Sequence, residues 1–308
     1  MPIVLSPSVP NPGTPTTATS ADGKLTVTVD FEFAGVLLRA DWSSLTPDPT
    51  KIRFFRDGLP VRSGDPAWSP GGIAYAYDHE APLGVSSSWT AAPVLADGSL
   101  GAASTSASVT VPFDISDYRS VWLKSIDDPA LSLKLLPVFP LPAFTRQAQA
   151  SFVSLQQSPY PIGTVGRRQA RTAEYHFYTD GETERDAFEA LVDNDGDTGV
   201  YLLQHAAVHH TRDIYCILGD TVETPQDSGM QDADREWILT LTEVQRPPTV
   251  DSPFYFPGHS NLDARAAAPL VGDRKTVWPT LADALVVEQY VIPSLLPESG
   301  GADDEGSP

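Results

Sequence analysis

Several groups of residues in this chain have types and spacings that chemistry uses. Asp193-Asn-Asp-Gly-Asp197 alternates acids as a calcium loop does. It departs from the EF-hand pattern, with Thr198 at position six and Gln204 at position twelve. A glycine-bearing turn from a helix into a strand accounts for the same residues without an ion. His205, His209 and His210 offer imidazoles for zinc, but adjacent side chains of an extended segment point to opposite sides and chelate poorly together. Asp78-His79-Glu80 could pair an acid with a base. Acids are common in a chain that holds 40 of them, and this stretch runs into Ala81-Pro-Leu-Gly84, a strand-ending turn. Gly163-Thr-Val-Gly166 before Arg167 and Arg168 has the composition of a phosphate cradle, yet no Gly-Lys-Ser/Thr follows and the next segment reads as strand. Cys216 lies in an apolar strand pattern and reads as a small buried hydrophobe rather than a nucleophile. There is no Ser/His/Asp order, paired-carboxylate motif or cofactor fingerprint. The sequence therefore nominates no catalytic, cofactor-binding or metal residue and no cofactor.

Composition narrows the classes further. A chain of 308 residues with 41% hydrophobic content predicts two domains plus tails. A net charge of −20 argues against nucleic acid and against anionic membrane surfaces, both of which call for clustered Lys and Arg. One cysteine excludes an intramolecular disulfide and any multi-thiolate metal site. No apolar run approaches a membrane span, so no membrane insertion is expected. Met1-Pro-Ile-Val-Leu-Ser6 lacks the basic and apolar regions of a signal peptide, which predicts assembly in a reducing cytoplasm.

The elements that position these residues are mostly strands. Residues 1–23, rich in Pro, Thr and Ser, read as an extended N-terminal arm. Residues 24–113 carry short strands at 25–33, 36–42, 51–55, 73–77, 85–91 and 107–111, with turns at Asp57-Gly58 and Asp97-Gly98. That spacing, without a cysteine pair, predicts an immunoglobulin- or fibronectin III-like sandwich in which Trp42 and Trp89 are core residues; carbohydrate stacking is their alternative use. Residues 114–247 hold two strands joined by the Asp127-Asp-Pro129 turn, then strands at 172–179, 199–204, 213–218 and 237–244. A single helix over 182–193 sits among them, capped by Asp180 or Thr183, with Phe188, Leu191 and Val192 as its apolar stripe. This predicts a β-sandwich or split barrel with one packed helix. The prolines of 137–142 predict an irregular connection rather than more sheet. Residues 248–296 read as an irregular C-terminal arm with a short helix after Trp278, and 297–308 as a disordered acidic tail. The fold class is thus mainly β with extended arms.

Several phrases in order resemble minor tail proteins of long-tailed, siphovirus-type phages of actinobacteria, of the distal-tail type. They are Arg56-Asp-Gly-Leu-Pro-Val-Arg-Ser-Gly-Asp65, Ala76-Tyr-Asp-His-Glu-Ala-Pro-Leu-Gly84, Trp89-Thr-Ala91 and Thr105-Ser-Ala-Ser-Val-Thr-Val-Pro112. Val121-Trp-Leu-Lys124, Pro161-Ile162, 179–191, Leu239-Thr-Leu-Thr-Glu-Val-Gln-Arg-Pro247 and Trp278-Pro-Thr-Leu-Ala-Asp-Ala-Leu285 continue the series. The family's usual Asp before a basic pair is missing from Pro161-Ile-Gly-Thr-Val-Gly-Arg-Arg168. The resemblance implies a structural virion component without enzymatic activity, located in the virion tail. It implies a homo-oligomeric ring that joins tail tube, tape measure and tip or hub proteins, with a host cell-surface glycan as a further partner. Ring contacts are expected to bury more than roughly 1,000 Å². The arms at 1–23 and 248–275 are expected to order against neighbouring chains. The alternative is a tail-tip protein that binds a receptor or carbohydrate.

Overall fold

The computed structural model describes residues 17–113, 121–138, 141–154, 162–193, 198–205, 211–226 and 233–249. They form a mainly β protein with several antiparallel sheets and one short helix.

Nine strands come first: β1 (Thr17–Thr19), β2 (Leu25–Asp30), β3 (Gly35–Asp41), β4 (Lys51–Arg56), β5 (Leu59–Pro60), β6 (Ala67–Trp68), β7 (Ile73–Asp78), β8 (Ser86–Pro93) and β9 (Ala107–Thr110). One sheet runs β1-β2-β3-β7 and the other β5-β4-β8-β9, with β6 on β4. Side chains of a strand alternate between its faces, so Leu25, Val27 and Val29 of β2 point the same way. They share one core with Leu38 of β3, Phe54 of β4 and Trp89 of β8, so the two sheets enclose a common interior. Each such side chain contributes roughly 1.5–3 kcal/mol when fully buried. The β4–β5 hairpin turns on Asp57 (φ 48°) and Gly58 (φ 81°), as the sequence predicts for a two-residue loop. At Gly35 a Cβ would lie 2.1 Å from the Tyr77 hydroxyl, so any side chain there would have to displace that buried ring.

The expected arm over 1–23 ends in a strand: Thr17, Ala18 and Thr19 pair with Thr28, Val27 and Thr26 at the edge of the first sheet. Residues 1–16 lie outside the described residues, as do nearly all of 248–296, the helix expected after Trp278 and the acidic tail.

The second group is β10 (Val121–Ser125), β11 (Ser132–Pro137), β12 (Thr145–Arg146), β13 (Ala150–Val153), β14 (Ile162–Val165), β15 (Arg171–Thr179), helix α1 (Gly181–Val192), β16 (Tyr201–His205), β17 (Ile214–Pro225) and β18 (Arg235–Val244). The pairings β11-β10-β16-β17-β18-β15 return to β11, closing a ring of six strands without a free edge. The closing contact is short, Leu136 with Tyr178 and Pro137 with Phe177, so the proline run does not end the sheet before Pro137. A proline is tolerated there because it is the last residue of its strand. Tyr175, Phe177, Leu203, Trp237 and Leu239 fill the interior.

α1 lies within one residue of the expected 182–193 and lays Phe188 and Leu191, both wholly buried, onto that interior. Phe188 meets Trp237 with ring centroids 4.7 Å apart, and Val192 packs at the margin. Of the two predicted caps, Thr183 lies inside the helix. Asp180 occupies the cap position, but its side chain makes no capping bond. Glu184 accepts the Asp180 amide at 2.6 Å, and Asp234, just before β18, accepts the Gly181 amide at 2.9 Å. Gly181 adopts φ +83°, which only glycine takes readily.

Candidate functional site

β10 and β16 are buried on both faces. Val121, Leu123, Tyr201 and Leu203 face the ring interior. Trp122, opposite Gln204, and Lys124, opposite Leu202, face the other way. Trp122 enters the core of the first two sheets. Lys124, wholly buried, donates from Nζ to the backbone oxygens of Ala34 at 2.8 Å and His79 at 2.9 Å. Gln204 Nε2 donates to the Ala81 oxygen at 2.6 Å. The ring and the first two sheets therefore meet through buried polar contacts as well as apolar ones.

Asp78-His79-Glu80, the acid–base candidate, stands at this junction and is buried throughout. β7 delivers the three residues as it ends. Asp78 accepts Arg56 Nη1 at 2.7 Å on one carboxylate oxygen and the Trp89 indole N–H at 2.9 Å on the other. Glu80 accepts Arg62 at 2.9 and 2.7 Å on Oε1, while Arg246, just past β18, bonds to Oε2. The same Arg62 donates to the backbone oxygens of Pro248 (2.8 Å) and Pro247 (3.2 Å). Thr249 Oγ1 donates to Asp65 at 2.6 Å. One carboxylate thus links a loop of the first sheets to the strand end that leaves the ring.

Burial would raise the Glu80 pKa, but the charges of Arg62, His79 and Arg246 hold it down at about 2. A carboxylate held so low and shared between two guanidiniums is a weak base, and it is enclosed. Burial pushes His79 down to about 4 against the pull of Glu80, and among the described residues its Nε2 has no hydrogen-bond partner. Burial also pushes Lys124 down to about 7, opposed by Asp213, Asp78 and Asp30 and assisted by Arg56.

A depressed lysine pKa has a definite sign. Between about 7 and the ordinary value near 10.5 the unfolded chain holds a proton that the folded chain lacks, so stability rises with pH. We expect urea-unfolding stability to increase from pH 7 to pH 8.5, and Lys124→Met to flatten that slope. Staying below pH 9 avoids the opposite contribution of Cys216, whose thiol burial pushes up to about 12. Equal slopes in parent and variant would mean that Lys124 does not titrate in this window.

The other candidates separate. Cys216 is buried in the ring interior, as its pattern predicts. His205 Nε2 lies 3.0 Å from the Tyr175 hydroxyl inside the ring, and its amide donates to Asp213 at 2.8 Å; His209 and His210 lie outside the described residues. Asp193 closes α1, while 194–197 are outside the described residues; Thr198 on the far side is bound to Asp127. Among the described residues no three His, Cys, Asp or Glu side chains gather as a metal site would require. Gly163 lies within β14, opposite Phe152, and the segment after Arg168 leads into β15, so among the described residues no helix N-terminus follows Gly163 to Gly166. Trp42 and Trp89 are core residues, 2% and 0% exposed. A small cleft, about 300 Å³ of space open to solvent, is lined by Phe31, Trp122 and Lys134 among others.

Sequence reasoning misses Arg62, Lys124, Gln204 and Arg246. The one available signal is Lys124 within Val121-Trp-Leu-Lys-Ser125, a polar residue in an apolar run, which in a two-faced buried strand requires internal acceptors. The structure defines the class as a mainly β protein whose sheets are joined by a buried ion network. Compared with known proteins, the chain matches no protein-family model and no curated protein.

Proposed function

We propose that this chain is a structural component of a phage tail, set at the distal end as a ring that connects the tail tube to the tip or host-binding parts. The first nine strands are then the immunoglobulin- or fibronectin III-like sandwich of the expectation, and the six-strand ring with α1 is its distal-tail domain. One observation carries the reading. The residues most like catalytic groups stand at the junction of two β units: the His79 oxygen and the Glu80 carboxylate bond to Lys124 and Arg246 of the second, and the Asp78 carboxylate is held by Arg56 of the first. That is the chemistry of a rigid building block. The ordered phrases that resemble those of tail proteins suggest the location, and the partners proposed are other copies and the neighbouring tail proteins.

The carbohydrate-binding alternative loses the two residues it relied on, since Trp42 and Trp89 are buried. Purified protein is expected to leave cell-wall polymer unchanged in a sugar-release assay. Virions decorated with antibody to this chain should carry label at the distal tail end in electron micrographs. Label on the capsid or along the whole tube, or none at all, would overturn the placement.

A further inference from the structure

β12–β13 and β14–β15 are the two sides of one ribbon leaving the closed ring. Arg146 pairs with Arg171, Gln169 N donates to Gln147 O at 3.0 Å, Gly166 N to Gln149 O at 2.7 Å, and Phe152 stands opposite Gly163. Every side chain described from Thr145 to Ala170 is exposed. Phe152 is 68% and Val153 57% exposed, and among the described residues β13 pairs only with β14. A two-stranded ribbon is marginal in water without further packing, and exposed apolar residues on it mark a contact surface.

Charge identifies the occupant. No acid lies between Asp128 and Glu174 in a chain with 40 acids and a net charge of −20, and the ribbon carries Arg146, Arg167 and Arg168. Among the described residues Arg167 and Arg168 make no ion pair. On α1, Glu182, Asp186, Glu189 and Asp193 are all exposed and recur at i, i+4, i+7 and i+11, one outward face. Arg185 is their one cationic neighbour on the helix.

We propose that the ribbon is a docking arm for a second copy of this chain, its arginines lying along the partner's acidic α1 face and Phe152 and Val153 covered in the contact. The contact is head-to-tail, because arm and helix face are different surfaces, and such contacts close into rings when the rotation allows. The proposal deepens the assembly reading above and rests on it.

Sedimentation velocity of the full chain at about 50 mM and 500 mM salt tests it. Parent protein should associate at low salt and dissociate at high salt. R167E/R168E and D186K/E189K should each weaken association at least about tenfold with unchanged melting curves, since these side chains are exposed. Mixing the two variants should restore a mixed complex, because each then offers the charge the other's intact surface needs. Association of R167E/R168E equal to parent overturns the arm and leaves the assembly reading standing. A parent monomeric at every concentration and salt overturns both. Retention of a single-stranded oligonucleotide by parent but not by R167E/R168E would assign the arginines to nucleic acid and overturn the proposal.

Discussion

Glu80→Gln destabilises the fold by about 3–5 kcal/mol, the range for removing one partner of a buried ion pair. Glu80 is 5% exposed and accepts from Arg62 and Arg246, residues 18 and 166 positions away. The glutamine is nearly the same size, so cavity formation contributes little. What changes is charge: two guanidiniums in a site with little water face a neutral amide that can accept but not neutralise them. Denaturant unfolding measures the loss, and Thr183→Ala on the exposed side of α1 should change by less than about 0.5 kcal/mol. Acid titration supplies an independent readout. A folded-state pKa of about 2 below the ordinary 4.5 stabilises above pH 4.5, and that contribution fades as pH falls from about 4.5 towards 2. The parent should lose stability steeply across that window, and Glu80→Gln less so. A stability within 1 kcal/mol of parent would show that Glu80 does not hold the two units together.

The strands announce themselves where burial is one-sided and the period is two. Leu25-Thr-Val-Thr-Val-Asp30 alternates in sequence and alternates in burial. The glycine turn at Asp57-Gly58 is equally legible, because φ > 0 at both residues has few solutions. The α1 stripe shows because Phe188 and Leu191 fall on one helical face. The ribbon is different. Ala150-Ser-Phe-Val153 and Ile162-Gly-Thr-Val165 are short, and every side chain of the first is exposed, so no buried face imposes a pattern on it. Ring closure is hidden for another reason: it rests on two residue pairs at the end of β11, one of them a proline.

The junction between the units is hidden most deeply. Asp78, His79 and Glu80 stand out as reactive types, but their partners Arg56, Arg62, Lys124 and Arg246 are scattered along the chain. Nothing local distinguishes a carboxylate that will be neutralised by distant arginines from one that will move protons. Burial decides between them, and burial of Glu80 depends on β10, β16 and the end of β18 all reaching the same place. Lys124 shows the same dependence. The three residues before it in β10 are apolar, and its acceptors are backbone oxygens at Ala34 and His79 that no side-chain pattern encodes.

Leu191→Ala destabilises by roughly 2–5 kcal/mol, the range for truncating a wholly buried leucine. α1 has no strong reason to exist alone. At twelve residues it is near the length where isolated helices are marginal, it begins with glycine, and its acids outnumber its single basic residue. Its stability comes from the apolar side chains it presses onto the ring: Leu191, and Phe188 against Trp237 at 4.7 Å. The Tyr201 hydroxyl adds one tie, donating to the Leu191 carbonyl at 3.0 Å. Removing the leucine side chain leaves a void between α1 and the strands beneath it, in the core that Leu191 shares with Phe188. The tie also makes the effect local to the ring, while the Glu80 network fastens the ring to the first sheets. Leu191→Ala and Glu80→Gln should therefore be close to additive in a double variant, because they share no contact. Thermal melts of parent, both single variants and the double variant measure this. A melting curve for Leu191→Ala that overlays the parent would remove α1 from the core.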